Sequence, residues 1–346
     1  MKQKVLILIF IELYVNILLI NGQSDNLKII SEFFGDYYYK LESDTGILLK
    51  GHENYQKLEK NSNAFGIRRF NVGFEHKINS KFSGNLLLEG HDSFTLNDDK
   101  TRGVYIKFAS LTYENIIKNT NITFGAQRTP TFTIVSEKIW GYRSIEKNIT
   151  DFRKYAHSSD MGISINSKLT NSVNFYLMLA NGEGTKIETN LFKKLYTSIY
   201  GSFLNEKIIY QLNYDFEKKK NSSEVSLLKF FTAYANSKLT LGLEPFICIQ
   251  KDTVINKDFG MTFFLKNVIL ENKLNSFFRF DVYEEKINNN YSGYRELMGI
   301  VGIDYKPDKR ISIMPNIWSM YYFKKNENII NRKPDIIVRL TVHYKI

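Results

Sequence analysis

The chain has 346 residues, of which 43% are apolar, and its mean hydropathy is −0.29. Past the N-terminus no run of residues is long and apolar enough for a transmembrane helix, which excludes a helical membrane protein. A single cysteine, Cys248, excludes a disulfide framework and a cysteine zinc site. The formal net charge of +11 comes with 22 tyrosines and 26 phenylalanines, an aromatic content that favours β-strands.

The N-terminus predicts an export signal. Lys2 and Lys4 form a basic start, an apolar stretch follows over residues 5–20, and Ile20-Asn21-Gly22 offers a cleavage site before Gln23. Removal of residues 1–22 takes away two lysines and one glutamate, so the formal charge falls from +11 to +10. An exported basic chain indicates small anions or anionic lipid head groups as partners, and no nucleic acid.

Apolar and polar residues alternate along most of the chain in segments that recur about every 20 residues, with the two-residue period of a β-strand. Residues 70–78 and 82–88 form a predicted hairpin, and residues 208–216 and 274–282 form two clear strands. Pro245 and Pro315 lie inside strands and predict bulges, because each removes a ladder donor. The last strand covers residues 336–346. Its one face carries Ile336, Val338, Leu340, Val342, Tyr344 and Ile346, and its other face carries Ile337, Arg339, Thr341, His343 and Lys345.

Taken alone, this last strand also fits the edge of a soluble β-sandwich; the connections between strands decide against that alternative. Short and longer links take turns, which is the signature of an outer-membrane barrel. The short links lie near 79–81, 116–119, 168–171, 205, 236–238, 270–272 and 306–309. The longer ones lie near 41–63, 92–102, 129–158, 182–191, 218–223, 251–256, 286–291 and 324–332. We therefore predict an all-β fold, a closed antiparallel transmembrane β-barrel of about 16 strands, with short periplasmic turns and longer extracellular loops.

The link over residues 129–158 is the longest inside the predicted barrel and is rich in both charges and aromatic residues. Its basic side chains include Lys138, Arg143, Arg153 and Lys154, and it follows Arg128. Aromatic residues, among them Trp140, Tyr142, Phe152 and Tyr155, give it enough apolar mass to pack, so we interpret it as a candidate loop folded into the lumen that narrows the pore and sets its ion preference. The alternative is a solvated surface loop whose basic residues meet lipopolysaccharide.

The polar faces of the strands supply the rest of the predicted lumen wall. Arg69, Lys107 and Arg279 are among the inward basic residues, and they are interspersed with carboxylates. This mixed wall with a modest positive excess favours anions and still admits neutral solutes. Nucleophile elbows, paired metal-binding histidines and phosphate-cradling glycine loops do not occur in the sequence, so we predict no catalytic site, no metal and no cofactor.

Three segments resemble, in order and spacing, landmarks of the phosphate-selective porin O/P family of Bacteroidota. They are residues 65–75 (FGIRRFNVGFE), 125–130 (GAQRTP) and 158–162 (SSDMG), and the resemblance covers about residues 64–184. It implies a sixteen-stranded trimeric outer-membrane porin with a lumen-folded third loop, Arg128 at the start of that loop and Arg69 beside it. The chain departs from the family by ending on Ile346 instead of an aromatic residue and by lacking a clear ladder of phosphate-binding arginines.

The sequence therefore predicts a passive outer-membrane diffusion channel for small hydrophilic solutes, with a bias to anions that could include phosphate. The alternative is a plugged barrel that acts as an adhesin or binds a partner at the cell surface. The expected partners are small anions or hydrophilic solutes, outer-membrane lipid and lipopolysaccharide, the barrel assembly machinery through the C-terminal strand, and two further copies of the chain. The predicted pore residues are Arg69, Lys107, Arg128, Lys138, Arg143, Arg153, Lys154 and Arg279.

Overall fold

A computed structural model describes residues 26–44, 58–95, 101–189, 191–219, 223–284, 293–325, 327 and 329–346. The predicted export signal, residues 1–22, lies outside the described residues. Within the described ranges, no helix is long and apolar enough to cross a membrane.

The described part of the chain forms sixteen β-strands and two short helices. The strands are β1 (Leu27–Glu42), β2 (Asn63–Lys77), β3 (Phe82–Thr95), β4 (Arg102–Ile117), β5 (Thr120–Arg128), β6 (Ser159–Lys168), β7 (Val173–Ala180), β8 (Lys194–Phe203), β9 (Ile208–Lys218), β10 (Glu224–Ala235), β11 (Leu239–Lys251), β12 (Ile255–Leu270), β13 (Leu274–Glu284), β14 (Tyr294–Asp308), β15 (Ile311–Lys324) and β16 (Asp335–Lys345). The helices, α1 (Ser136–Trp140) and α2 (Ile149–Phe152), both lie between β5 and β6.

Each strand pairs antiparallel with its neighbours in sequence, and β1 pairs with β16, so the sheet closes into a barrel. At the closing seam Phe33 lies opposite Tyr344 and Gly35 opposite Val342. A salt bridge of 2.7 Å between Lys40 Nζ and Asp335 Oδ1 also joins the two strands. The predicted fold class, including the pairing of the last strand with the first, is confirmed.

The two faces of the barrel wall have opposite character. On β16 the apolar side chains of Val338, Leu340 and Val342 are about 40% exposed, whereas Arg339 and Thr341 are at most 1% exposed. In a soluble protein the charged residue would be outside and the aliphatic residues inside. The inversion fits a wall that faces acyl chains on the outside and a polar lumen on the inside.

The links at the two ends of the barrel differ in length, as predicted. At the end where β1 begins and β16 ends, the turns include 118–119, 236–238 and 309–310. At the other end lie long links such as 43–62, 129–158 and 325–334. One predicted longer link, 251–256, is in fact only residues 252–254, because β11 and β12 continue their pairing to Lys251 and Ile255. By the convention of outer-membrane barrels, the short-turn end is periplasmic.

The predicted bulges at Pro245 and Pro315 are wrong. The register of β11 and of β15 is the same before and after each proline. Each proline lies where its strand lacks cross-strand pairs with one neighbouring strand and keeps them with the other.

Two of the bulges that do occur turn basic residues toward the lumen, and the sequence gives no proline signal for either. Between Phe34 and Gly35 of β1 the partner strand β2 has an extra residue, Arg68. Between Leu87 and Leu88 of β3 the partner strand β4 has an extra residue, Lys107. A bulge shifts the alternation by one residue, so it places two consecutive side chains on the same face.

Candidate functional site: a basic passage beside the β5–β6 loop

The β5–β6 loop, residues 129–158, contains both helices of the described chain. Asn148 caps α2, since its Oδ1 accepts a hydrogen bond of 3.1 Å from the backbone N–H of Thr150. Gly141 ends α1 in the left-handed conformation, φ 71°, and its N–H donates to the carbonyl of Glu137. These local signals make the loop an ordered element and not an extended link.

Polar side chains of the β5–β6 loop bond to inward-facing side chains on distant strands of the barrel. Arg153 Nη1 lies 2.6 Å from Glu296 Oε2 on β14, and both side chains are nearly fully buried. Tyr155 donates a hydrogen bond of 2.6 Å to Asp258 on β12. Similar bonds join Thr131 to Asp215 on β9, Asn148 to Glu244 on β11, and Glu146 to Trp318 on β15. The loop is therefore fixed to the wall formed by β9 to β15.

The apolar side of the loop packs against the same half of the barrel. The ring of Trp140 lies 5.1 Å from Phe264, and the ring of Tyr142 lies 4.6 Å from Phe277. Ile145 and Trp318 belong to the same buried cluster. A second cluster joins Phe132 and other loop residues to β10, β11 and β13. Together these contacts hold the loop on the β9–β15 side of the lumen and leave space on the side of β1 to β5.

Two cavities lie in that remaining space. The upper cavity, about 200 Å³, opens toward the long-loop end and is lined by residues such as His91, Tyr105 and Lys147. The lower cavity, about 530 Å³, opens toward the short-turn end and is lined by residues such as Glu75, Arg128 and Lys138. Both cavities share Arg69, Glu89, Lys107, Arg143 and Ser158. We call these five residues the neck, because the two cavities meet there.

The basic residues of the neck are close to carboxylates. Glu89 lies 3.3 Å from Arg69 and 3.4 Å from Lys107. Arg143 forms salt bridges with Glu137 and, at 2.7 Å, with Asp151. Burial of Asp151 on its own raises the pKa of its carboxyl, but the guanidinium of Arg143 overrides this and holds that pKa well below its usual range. The neck is thus a cluster in which positive and negative side chains alternate.

The charged side-chain groups of three further basic residues beside the neck have no carboxylate within 4.0 Å among the described residues. Arg128 and Lys138 line the lower cavity, and Lys147 lines the upper one. The guanidinium of Arg128 lies 4.7 Å from the centroid of the Phe108 ring. Partial burial, and then the like charge of Arg128, lower the pKa of Lys138. These three cations carry the uncompensated positive charge beside the neck.

Of the eight predicted pore residues, five line this passage: Arg69, Lys107, Arg128, Lys138 and Arg143. The other three line neither cavity. Arg153 is buried against Glu296 and the ring of Tyr283, and Arg279 is buried against Asp281 while it donates to the carbonyl of Lys147. Lys154 is exposed after α2 in a left-handed conformation, φ 59°. Arg153 and Arg279 hold the loop against the wall.

Sequence reasoning missed Arg68 and Lys147. Strict alternation points Arg68 outward, but the bulge turns it inward beside Arg69, and both guanidinium groups lie within 5.6 Å of the Phe34 ring centroid. Arg68 also donates a hydrogen bond of 3.0 Å to the carbonyl of Ile145 in the loop. The pair Gly35 and Gly66 is the only local hint, because a Cβ on Gly35 would approach the Gly66 carbonyl to 2.5 Å. Nothing in the sequence distinguishes Lys147 from the other basic residues of the loop.

Among the described residues, no group of three or more His, Cys, Asp or Glu side chains could hold a metal ion. The chemistry available along the passage is therefore that of charged and hydrogen-bonding side chains facing a solute.

The closed barrel, its lipid-type exterior and the loop on its inner face define the class: a multi-pass transmembrane β-barrel with the fold of bacterial outer-membrane porins. No family model matches the chain, and no curated protein matches it by sequence. Comparison with solved structures agrees with the class. The outer membrane channel DcaP of Acinetobacter baumannii has a TM-score of 0.68 and 13% identity, and the match covers 92% of this chain and 97% of that one.

The anion-selective porin from Comamonas acidovorans has a TM-score of 0.67 and 10% identity, over 92% of this chain and 99% of that one. A trimer form of OmpT of Vibrio cholerae has a TM-score of 0.57 and 11% identity, over 92% and 99% of the two chains. At these identities the likeness shows the fold alone. It supports the porin part of the sequence resemblance but not the phosphate-selective family in particular.

Proposed function

We propose that the protein is a passive outer-membrane channel for small hydrophilic solutes with a bias to anions. The observation that carries the proposal is the neck: two polar cavities, one toward each end of the barrel, meet at Arg69, Glu89, Lys107, Arg143 and Ser158. In this reading the β5–β6 loop is the constriction, and solutes pass between it and the wall formed by β1 to β5. No covalent chemistry takes place.

The anion bias comes from charges that are not cancelled locally. At the neck, Glu89 faces Arg69 and Lys107 at 3.3 and 3.4 Å, so these cations attract a passing anion only weakly. Arg128 and Lys138 below the neck and Lys147 above it have no such partner among the described residues. These cations would therefore attract an anion to both sides of the neck, while the neck between them is nearly neutral. Several weak sites in series allow an anion to leave as well as to enter.

The same pattern argues for a general anion bias and against a dedicated phosphate site. A phosphate-specific site needs several donors free to replace the hydration of one ion. Arg69 and Arg143 already donate to carboxylates. Phosphate is included in the proposal as one permeant anion among others.

The test is the reversal potential across a planar bilayer under a KCl gradient. We expect the wild type to prefer chloride over potassium and the double variant Arg128→Gln/Lys138→Gln to lose most of that preference while still conducting. The matched control is Lys81→Gln/Lys118→Gln, which removes the same charge from two exposed short turns away from the passage. An unchanged preference in the first variant, or an equal loss in the control, contradicts the assignment; a folded barrel that never conducts contradicts the channel itself.

The second candidate function is a plugged barrel that binds a partner or adheres to a surface. The observation in its favour is the density of the loop's packing, since Ile145, Ile149 and Phe132 are completely buried. Under this alternative the neck would not pass ions, so single-channel recording separates the two functions directly.

We propose a homotrimer as the assembled form, with residues 1–22 removed on export. The sequence resemblance implies a trimer, and one structural neighbour is known in a trimer form. Native mass spectrometry of the purified protein tests both points, because it reads the number of chains and the mass of each. A monomer, or a chain that retains its N-terminus, contradicts the corresponding half of the proposal.

A further inference from the structure

A third cavity, about 350 Å³, lies at the short-turn end on the opposite side of the barrel from the passage. It is bounded by the turn after β10, by β11 to β16 and, from above, by Gly141 and Tyr142 of the β5–β6 loop. We call it the basic chamber. Its lining includes six Lys or Arg side chains and one carboxylate: Lys238, Lys266, Lys306, Lys309, Arg310, Lys345 and Asp304.

Toward the long-loop end, the described residues of the β5–β6 loop cover the basic chamber. Tyr142 at its roof donates a hydrogen bond of 3.1 Å to Asp304 and stacks on Phe277. Above them Trp140, Met314 and Trp318 continue the largest buried apolar cluster of the described chain. The chamber communicates instead with the lower cavity, with which it shares Gly141, His343 and Lys345. It is a side chamber of the periplasmic mouth.

Half of its cations have a carboxylate partner among the described residues: Lys306 pairs with Asp304, Arg310 lies 3.3 Å from Asp308 and Lys345 lies 3.9 Å from Glu32. Asp304 is engaged by Tyr142 and lies 3.6 Å from Lys306. Lys266 donates to the carbonyl of Ile139 and has no carboxylate within 4.0 Å among the described residues. Lys238 and Lys309, on the turns after β10 and β14, also have no carboxylate neighbour in the described ranges. Such a concentration of like charge in a concave site raises the local concentration of anions.

We propose that the basic chamber binds a phosphate chain with several negative charges, such as an oligophosphate, from the periplasmic side. Its cations come from separate strands and turns around a cavity far larger than one ion, so a ligand with charges along its length engages more of them than a single phosphate does. Asn236, Thr240 and Ser312 in the same lining offer neutral donors for phosphate oxygens. Because the chamber adjoins the lower cavity, an occupant also obstructs the passage.

The first test is isothermal titration of the detergent-solubilised, folded protein with sodium tripolyphosphate at low ionic strength, compared with monophosphate. We expect tripolyphosphate to bind at least about tenfold more tightly than monophosphate, and the variant Lys238→Gln/Lys309→Gln to weaken it by about tenfold. The control Lys81→Gln/Lys118→Gln, with the same loss of charge on other short turns, should change the affinity by less than about twofold. Equal weakening in both variants, or equal affinity for the two anions, overturns the proposal.

The second test, which rests on the proposed channel function, is the sidedness of block in a planar bilayer. Tripolyphosphate added at the short-turn side should reduce the KCl current, and the same concentration at the long-loop side should reduce it less. Block that is stronger from the long-loop side, or that persists in Lys238→Gln/Lys309→Gln, overturns the proposal while leaving conduction established. If no current flows at all, the channel function fails, and the titration still decides the chamber.

Discussion

The salt bridge between Arg153 and Glu296 holds the β5–β6 loop to β14, and its loss has a calculable effect. The Nη1 to Oε2 distance is 2.6 Å, and the side chains are 1% and 2% exposed. Replacement of Glu296 by Met leaves the guanidinium buried without this carboxylate, which costs about 3–5 kcal/mol in comparable buried pairs. Because Asp281 also exerts an attraction on Arg153, we expect the lower end of that range.

A cost of about 3 kcal/mol raises the fraction of molecules with an undocked loop about a hundredfold. The barrel itself should survive, because its strand pairing does not involve either side chain. We therefore expect Glu296→Met to conduct with larger and noisier single-channel currents than the wild type. Limited proteolysis in liposomes should cut the loop faster, while the heat-modifiable mobility of the folded barrel stays the same.

The double variant Arg153→Met/Glu296→Met removes both charges at once and should restore quiet currents and protease resistance, because two apolar side chains of similar size can replace a buried pair. Arg295→Met, on the neighbouring residue of β14, breaks an exposed pair with Glu284 and should change nothing measurable. The reasoning is refuted if Glu296→Met behaves like the wild type, or if the double variant is as disturbed as the single one.

Three other predictions follow from the same structure. Protease added to intact cells should fail to cut within 129–158, since that loop packs on inward-facing side chains; cleavage there at the rate of an accessible surface loop would contradict its role as a constriction. Because the pKa of Asp151 is held below its ordinary value of 3.8, its ion pair with Arg143 should stabilise the loop at all higher pH values and be lost only as the pH falls below 3.8. Currents recorded from pH 8 to pH 5 should thus stay the same in the wild type, whereas Asp151→Asn, which removes the ion pair at every pH, should make them noisier over the whole range; wild-type-like currents in the variant would contradict the assignment. Leu340→Lys, on the lipid-facing side of β16, should destabilise the barrel by about 2–4 kcal/mol in urea-driven unfolding from liposomes, and a cost near zero would contradict the assigned orientation of that face.

The barrel itself could be predicted because its determinants are local and repetitive. Strand β16 alternates without a break, and its outward Val338, Leu340 and Val342 are the residues that the period selects. The alternation of short and long links then predicts the strand order, because each link joins two consecutive strands that pair as a hairpin. Both signals depend on residues within one or two strands of each other.

The site was predicted only in part because its determinants are not local. Arg143 and Arg153 look alike in the sequence of the loop, yet one lines the neck and the other is buried against a residue 143 positions away. Nothing in the local pattern identifies Glu296 as the partner. Likewise, the inward turn of Arg68 depends on a bulge that forms between two strands, and strict alternation assigns that side chain to the wrong face.

The pairing of β1 with β16 has a consequence for how the barrel folds. It joins residues such as Asp36 and Thr341, which are separated by 305 positions and lie among the first and last parts of the barrel to leave the ribosome. Such distant contacts make folding slow, and until they form, both edge strands expose unpaired backbone that invites aggregation. The barrel can therefore close only after the last strand has been synthesised, and until then β1 lacks one of its two neighbouring strands.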